Sequence, residues 1–540
     1  MDQHEPASGR RETYLAALLL LVVAAVVLYV RIRLLALPLE RDEGEFAYMG
    51  QLLLNGTSPY LHAYTMKLPG VSAVYALFML LFGHTSTALH LGLLLVNTGA
   101  AFLIFLLAKR LLDTSAALYS CSAYLLLSLS QSVYGLFAHA THFVVLFALG
   151  GFLLLLRSID ERRIALLFPA GLCFGLAVTM KQHAMPLVLF AILFWLWRCR
   201  MDSTSNTGQR SSGTGIVLLA VGACVPYLLI LLHSWSTGTL STFWFWTVRY
   251  AREYVSSQTP ATGLANLSTS LGIMLQVQWP FLLLAAIGAG MLLKQKKADK
   301  STIFISGLLL FSFLAISLGL IFRRHYFILL LPALSLLVGI MTRTASGWRL
   351  RVPVAPLLIA AAAVFGIYQE QLFYFQLSPL QASRASYDEN PFPEALQIAE
   401  YIKKHTSPDD RIAVLGSEPE IYFYAGRLSA TGHIYMYGLM ENQPYAEKMQ
   451  MQLIREIEAT RPKYIVDVNV AKSWLTQSSS LHKILDWKDG YLRNFYDTVG
   501  VVDIVNSATT RYTWDDKAAG YTPVSRAYVR VFKRKTGEGF

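Results

Sequence analysis

Four carboxylates, Glu40, Asp42, Glu43 and Glu45, crowd into six positions around Arg41, and Lys67 follows in the step Lys67-Leu68-Pro69-Gly70. They stand directly after a long apolar run, in a chain that is 54% hydrophobic and only 15% charged. Acidic groups at the mouth of an apolar bundle are costly to place, so their presence there points to chemistry. An aspartate so placed can take a proton from a substrate hydroxyl, the role of a general base. The plainer alternative is a solvated interfacial loop.

A second group is defined by cations on the face where they are disfavoured. Lys181 and the pair Arg323-Arg324 stand at the outer ends of apolar runs. With Lys67 they compose an anion site suited to a phosphate at headgroup depth. Taken singly, each is equally a residue that snorkels to lipid phosphate. His139, His142, His183 and His325 lie at the same level. His139-x-x-His142 has the spacing of two imidazoles on one helical face, although no carboxylate accompanies it in sequence. A hydrogen-bonded pair is the simpler account. Phe243-Trp244-Phe245-Trp246, running into Arg249-Tyr250 and Arg252, reads as an amphipathic outer segment with an interfacial aromatic belt. A surface that stacks a sugar or a lipid is the sharper alternative, with Arg249 and Arg252 on the acceptor side.

The elements that must hold these groups are membrane spans. The 540-residue chain has a mean hydropathy of +0.43, and many of its apolar runs approach the roughly 20 residues that cross a bilayer. Eleven spans are expected, at about 14–30, 87–108, 115–133, 142–156, 164–180, 184–197, 214–233, 279–293, 302–322, 325–341 and 353–375. The first lacks a small-residue cleavage site and reads as a retained anchor. One set of short connections carries fifteen cations, at Lys109, Arg110, Arg157, Arg162, Arg163, Arg198, Arg200, Arg210, Lys294, Lys296, Lys297, Lys300, Arg343, Arg349 and Arg351. The alternate connections carry five, at Lys181, Arg249, Arg252, Arg323 and Arg324. Positive-inside bias makes the first set cytoplasmic, with the amino terminus inside and the acidic stretch outside. Arg31, Arg33 and Arg41 argue the other way and are outnumbered. The net charge of +12 fits this bias; without a basic cluster or aromatic platform it does not point to nucleic acid. Four cysteines in or beside apolar runs give neither a disulfide framework nor zinc spacing.

Residues 1–387 thus read as a transmembrane domain whose first outer loop, 40–86, carries the acidic stretch on two short helices, about 43–54 and 70–82. Asn55-Gly56 and Gly83 end them, and the second is too short to span, so it is laid in the interface. From residue 388 no spanning run remains. Strands at 412–415, 464–468, 499–505 and 527–532 and helices at 394–405, 418–426 and 444–460 make an extracytoplasmic α/β domain. Ser417 and Glu420 have the spacing of a capping box. No phosphate loop or nucleophile elbow occurs in this domain, which reads as a binding or lid module.

Asp42-Glu43 with Glu45-Phe46-Ala47-Tyr48, the turn Asn55-Gly56-x-x-Pro59-Tyr60, the step Lys67-x-Pro69-Gly70 and a segment ending in Phe82-Gly83 resemble the first outer loop of family 39-type, GT-C-fold glycosyltransferases. That group includes protein O-mannosyltransferases and the aminoarabinose transferase of lipid A. Thr179-Met180-Lys181-Gln182 and Arg324-His325-Tyr326-Phe327 resemble two later landmarks of bacterial members, and the likeness runs through most of residues 14–375. Ala138-His139-Ala140-Thr141-His142 departs from the asparagine or acidic residue of many relatives, which bears on the acceptor. The resemblance implies transfer of a sugar from a polyprenyl-phosphate carrier, at the outer face of the bacterial inner membrane, to a protein, lipid or glycan acceptor. Asp42 would be the base, with Glu43 orienting the acceptor or pairing a cation. Lys67, Lys181, Arg323, Arg324, His325 and Tyr326 would bind donor and phosphate, and inversion would follow from attack opposite the leaving group. Fixed cations neutralising a lipid monophosphate call for no cofactor and no metal. A flippase for lipid-linked sugars and a non-catalytic scaffold are the rival classes.

Overall fold

The computed structural model describes residues 7–201, 206–295, 299–346 and 353–535. Lys296, Lys297, Arg349 and Arg351, used above for orientation, lie outside these residues, as does the side chain of Arg210. Helices occupy all eleven expected apolar runs. Eight are long and apolar enough to cross a membrane; those at Thr114–Leu127, Ile164–Met180 and Val354–Gln369 are shorter. A rise of about 1.5 Å per residue leaves a 14-residue helix short of the roughly 30 Å hydrocarbon core. The helix expected at 279–293 begins much earlier, at Pro260, and runs to Leu293.

The chain divides into two compact units. The first comprises Met1–Leu34, His90–Leu232 and Val255–Gln376. Small residues let its short helices lie close to their neighbours. A Cβ on Gly171 or Gly175 would collide with the carbonyls of Leu219 and Ala223, and one on Gly222 with that of Phe168. This is a small-residue crossing of the kind that packs helices in lipid, where van der Waals contact replaces the hydrophobic drive. The basic connections converge at one end of this unit: Arg110 and Lys300 both pair with Asp160, at 2.7 and 2.6 Å, and Arg157 pairs with Glu161 at 3.0 Å.

The second unit comprises Leu35–Leu89, His233–Tyr254 and Leu377–Phe540. It cuts across the boundary expected at residue 388, because the acidic loop packs with the tail. Its sheet contains β1 (Ile412–Leu415), β2 (Tyr464–Asn469), β3 (Tyr496–Ile504), β4 (Thr510–Trp514) and β5 (Tyr528–Arg534) in the order β1-β2-β5-β3-β4. Only β1 and β2 are parallel. Four strands match expectation. The fifth, β4, is only five residues long, and its alternation of Tyr512 and Trp514 with Arg511 and Thr513 is too short to stand out in sequence. The helices Pro379–Tyr387 and Lys483–Phe495 were also not expected.

Two further expectations are corrected here. The Ser417–Glu420 capping box does not form: the helix Glu420–Ala425 starts on Pro419 without a side-chain cap. Ser417 Oγ instead accepts from the Met436 amide at 2.8 Å, and Glu420 is buried. The aromatic segment is not a lipid-facing belt. Phe243, Trp246 and Tyr250 are buried in the second unit, where Trp246 stacks on Tyr64 at 5.6 Å, and Trp244 alone of the large rings there is well exposed. The helix Arg41–Leu54 is held between two neighbours by glycines. A Cβ on Gly44 would stand 2.5 Å from the Glu420 amide nitrogen, and one on Gly50 would stand 3.0 Å from the Ser72 carbonyl. Gly44→Ala should therefore lower the thermal midpoint of the solubilised protein, although alanine favours a helix by about 1 kcal/mol. The clash is with backbone, and overpacking of this kind costs about 1–3 kcal/mol. An unchanged midpoint would mean that the two helices can part without loss.

Candidate active site

The acidic helix begins with a reciprocal cap. Glu40 accepts from the Glu43 amide at 2.9 Å, and Glu43 accepts from the Glu40 amide at 3.1 Å. Both carboxylates therefore turn back onto the helix start, where the helix dipole favours negative charge. Glu43 serves the backbone in this arrangement.

Arg41 points into a socket built by the tail. Its guanidinium donates to the Ser417 carbonyl at 2.5 Å, the Tyr437 hydroxyl at 2.6 Å, and Asn390 Oδ1 and Glu418 Oε1 at 2.9 Å each. It also lies over the rings of Phe392 and Tyr437. Glu418 is fully buried, and its other oxygen accepts from Ser473 at 2.6 Å. Arginine suits this place because its planar fork satisfies several acceptors at once.

Asp42 and Glu45, three residues apart, share one face of the helix and both accept from Lys67 Nζ, at 2.6 and 2.5 Å. The ammonium also lies over the rings of Phe46, at 4.7 Å, and Tyr435, at 5.4 Å. Tyr435 donates its hydroxyl to Asp42 Oδ1 at 3.2 Å. The Lys67 backbone is fixed in turn: Tyr60 donates to its carbonyl at 2.8 Å, and its amide donates to Thr65 Oγ1 at 3.1 Å. Accessibility separates the carboxylates. The Asp42 side chain is 23% exposed and that of Glu45 is 2% exposed, while Glu43, Glu418 and Glu420 are fully buried. Asp42 is the most exposed of these carboxylates.

Burial disfavours the Lys67 ammonium, yet Asp42 and Glu45 outweigh it and hold its pKa above that of a free lysine. Burial pushes the Glu45 carboxyl up, and Lys67 pulls it part of the way back. Glu40 is pushed well above the usual carboxylate range by burial and then by Asp42 and Glu43. Glu420 is pushed up likewise by burial and then by Glu418, and neither of its oxygens has a hydrogen-bond partner among the described residues.

The remaining candidates fall mainly in the first unit, at the end opposite its basic connections. Lys181 Nζ lies over the Tyr326 ring at 3.9 Å, and His183 meets the same ring edge-on at 4.7 Å. His325 stacks on His139 at 4.1 Å and meets Tyr326 at 4.9 Å. Arg324 donates to the carbonyls of Gln131 and Ser132 and lies over Tyr134 at 3.9 Å. Residues far apart in sequence thus form one cation–aromatic cluster. Arg323 is exposed beside it. His142 is buried with no hydrogen bond to either ring nitrogen among the described residues, so it does not pair with His139. Arg249 and Arg252 are exposed on the second unit.

Residues 66–229 match the family model described as dolichyl-phosphate-mannose-protein mannosyltransferase. No curated protein matches the chain by sequence. Among solved structures, apo ArnT from Cupriavidus metallidurans aligns with a TM-score of 0.57 at 13% identity, covering 96% of this chain and 97% of that one. ArnT bound to undecaprenyl phosphate aligns at 0.55 and 14% identity, over 86% and 94% of the two chains. The oligosaccharyltransferase AglB from Archaeoglobus fulgidus, in complex with an inhibitory peptide and a dolichol-phosphate, aligns at 0.53 and 13% identity, over 93% and 74%. The fold is GT-C, and the chain is a multi-pass membrane glycosyltransferase.

In this GT-C enzyme the sequence singled out Asp42 and Lys67 but missed Arg41, Tyr435 and Tyr437. The available signal was two tyrosines spaced by one residue in an otherwise apolar stretch. Truncating one partner of a buried ion pair strands the other charge. Arg41→Met should therefore destabilise the second unit by about 3–5 kcal/mol, and Arg41→Met with Glu418→Met should recover part of that loss. Thermal melts and protease resistance of the tail report it; equal melts for single and double variants would show that the pair is not coupled.

Lys67→Gln leaves Asp42 and Glu45 without their cation, at a cost of about 2 kcal/mol near pH 7.5. Unpaired buried carboxylates bind protons more tightly folded than unfolded, so stability then rises as the pH falls. The variant should regain more of its thermal midpoint between pH 7.5 and 5 than the wild type does. In the wild type the raised Lys67 pKa works in the other direction: its contribution is complete below the ordinary lysine value of 10.5 and is lost only above that. A variant melting with the wild-type pH dependence would refute this charge assignment.

Proposed function

We propose that this glycosyltransferase moves a sugar from a polyprenyl-phosphate carrier to an acceptor hydroxyl on the outer face of the cytoplasmic membrane, with Asp42 as general base. The observation that carries the reading is the position of Asp42: the most accessible carboxylate of the acidic helix, fixed by Lys67 and Tyr435, in a GT-C fold. The lipid phosphates named with the ArnT and AglB structures support a donor of that class.

In the proposed step the acceptor oxygen attacks the anomeric carbon as its proton passes to the Asp42 carboxylate. The bond from that carbon to the phosphate oxygen breaks, and its electron pair leaves with the lipid phosphate. Attack from the side opposite the phosphate inverts the anomeric centre. Lys181 and Arg324, with His325 and Tyr326 supporting them, stabilise the charge that develops on the departing phosphate. They suit that task as cations positioned by an aromatic face, Lys181 by Tyr326 and Arg324 by Tyr134 and the Ser132 carbonyl. Lys67 already bridges two carboxylates, which fits it better to hold Asp42 in place than to bind the phosphate. The amino terminus is cytoplasmic in this reading, and the tail is extracytoplasmic.

Cells lacking the protein should accumulate the lipid-linked sugar, whose mass identifies the donor. Asp42→Asn should insert normally and reduce transfer at least about 100-fold, the usual contribution of a general base. Wild-type transfer by that variant would remove Asp42 from the mechanism. Movement of the carrier across the bilayer with no change in covalent product would make the protein a flippase instead.

A further inference from the structure

We infer that Tyr435, in the carboxy-terminal domain, is a positioning residue for the transfer reaction, acting through Asp42. The inference deepens the reading of Asp42 as base and rests on it. Ionised aspartate only accepts hydrogen bonds, so the Tyr435 hydroxyl, 3.2 Å from Asp42 Oδ1, is the donor. Lys67 Nζ donates to the same oxygen at 2.6 Å. Two donors arriving from different segments on one oxygen fix the rotation of the carboxylate, and therefore the direction in which it meets a substrate hydroxyl. Reaction rates are sensitive to such orientation, since small misplacements of a base cost orders of magnitude.

The segment that carries Tyr435 is itself built to stay in register with the acidic helix. On one side, the Met436 amide donates to Ser417 Oγ at 2.8 Å, and the Ser417 carbonyl receives Arg41. On the other, the Tyr437 hydroxyl accepts from Arg41 and donates to the Lys472 carbonyl at 2.8 Å. The rings of Tyr435 and Tyr437 meet edge-on at 4.8 Å. Arg41 immediately precedes Asp42, so a single socket sets the positions of both the base and its phenol donor. A tail that served only as a lid would not require this.

Within the second unit, the charged and titratable groups that act on Asp42 include Lys67, Glu45, Glu40, Tyr75 and Tyr435. Burial, followed by Asp42 itself, pushes the Tyr435 phenol well above its ordinary value, so it remains a donor through the working range. Losing a hydrogen bond to the carboxylate raises the pH at which the carboxylate gains a proton.

The test uses full-length protein in membranes. Polyprenyl-phosphate sugars extracted from cells lacking the protein serve as donor, and cell envelopes as acceptor. Tyr435→Phe keeps the ring against Lys67 and removes only the hydroxyl. It should lower kcat about 10- to 100-fold, the range for a hydrogen bond to a charged group. Apparent KM for the donor should stay within about twofold, and the acid limb of the rate profile should move to higher pH. Wild-type kcat and an unmoved acid limb in this variant, with Asp42→Asn inactive, would overturn the inference and leave the base assignment intact. An active Asp42→Asn would remove both. If Tyr435→Phe melts early, 3-fluorotyrosine at position 435 keeps ring and hydroxyl and makes a stronger donor. Its acid limb should move to lower pH, and an unmoved limb would again overturn the inference.

Discussion

The arrangement of the second unit depends on one buried cation. Arg41 sits at the first turn of the acidic helix and satisfies four acceptors contributed by residues 390, 417, 418 and 437. An arginine withdrawn from water is tolerated only where its fork is fully hydrogen-bonded and an anion neutralises it, and Glu418 supplies that anion. Such a pair contributes little net stability compared with apolar packing, but it is strongly directional. It therefore acts as a register pin: the acidic helix can dock against the tail in one orientation, and Gly44 lets the backbones close to contact distance. The adjacent Asp42 inherits that orientation.

The cations divide by the company they keep. Lys67 lies between two carboxylates, at 2.6 Å from Asp42 and 2.5 Å from Glu45. Lys181 and Arg324 are held by ring faces and carbonyl oxygens, contacts worth roughly 1–2 kcal/mol each where water is scarce. The first kind suits a group that holds a neighbouring aspartate in one orientation.

Much of this was legible in the sequence, for identifiable reasons. A helix stands on each expected apolar run because hydrophobic length is a strong signal, eight of them long and apolar enough to cross a membrane, and the glycines ending the two loop helices were recognisable by residue type, with φ of +70° at Gly56 and +95° at Gly83. Asp42 and Lys67 stood out because charge is rare in such a chain. What was not legible depended on contacts between distant segments. Ser417 and Glu420 had capping-box spacing, yet tertiary demand for the Ser417 hydroxyl and the burial of Glu420 prevailed over the local pattern. The aromatic run 243–250 looked interfacial because composition cannot tell a ring that faces lipid from one that faces Tyr64 or His433. Tyr435 and Tyr437 offered only the spacing of two tyrosines about Met436, a pattern that predicts packing and does not reveal a contact with a helix residue 393 positions away.

The crowding of acids, which first drew attention, also explains why a single one is suited to react. Ionised carboxylates packed together without water repel one another, and burial penalises each further. The protein resolves the conflict by giving each acid a different fate. Glu40 and Glu43 close the helix cap, Glu418 neutralises Arg41, and Glu45 is sealed against Lys67. Glu420, buried without hydrogen-bond partners among the described residues, is pushed well above the usual carboxylate range by burial and then by Glu418. Among the described acids of this cluster, Asp42 alone combines a cation, a phenol donor and partial exposure. The proposed base must be reachable and correctly aimed, and in this cluster Asp42 is the carboxylate with both partial exposure and two donors on one oxygen, while the others are held in structural contacts.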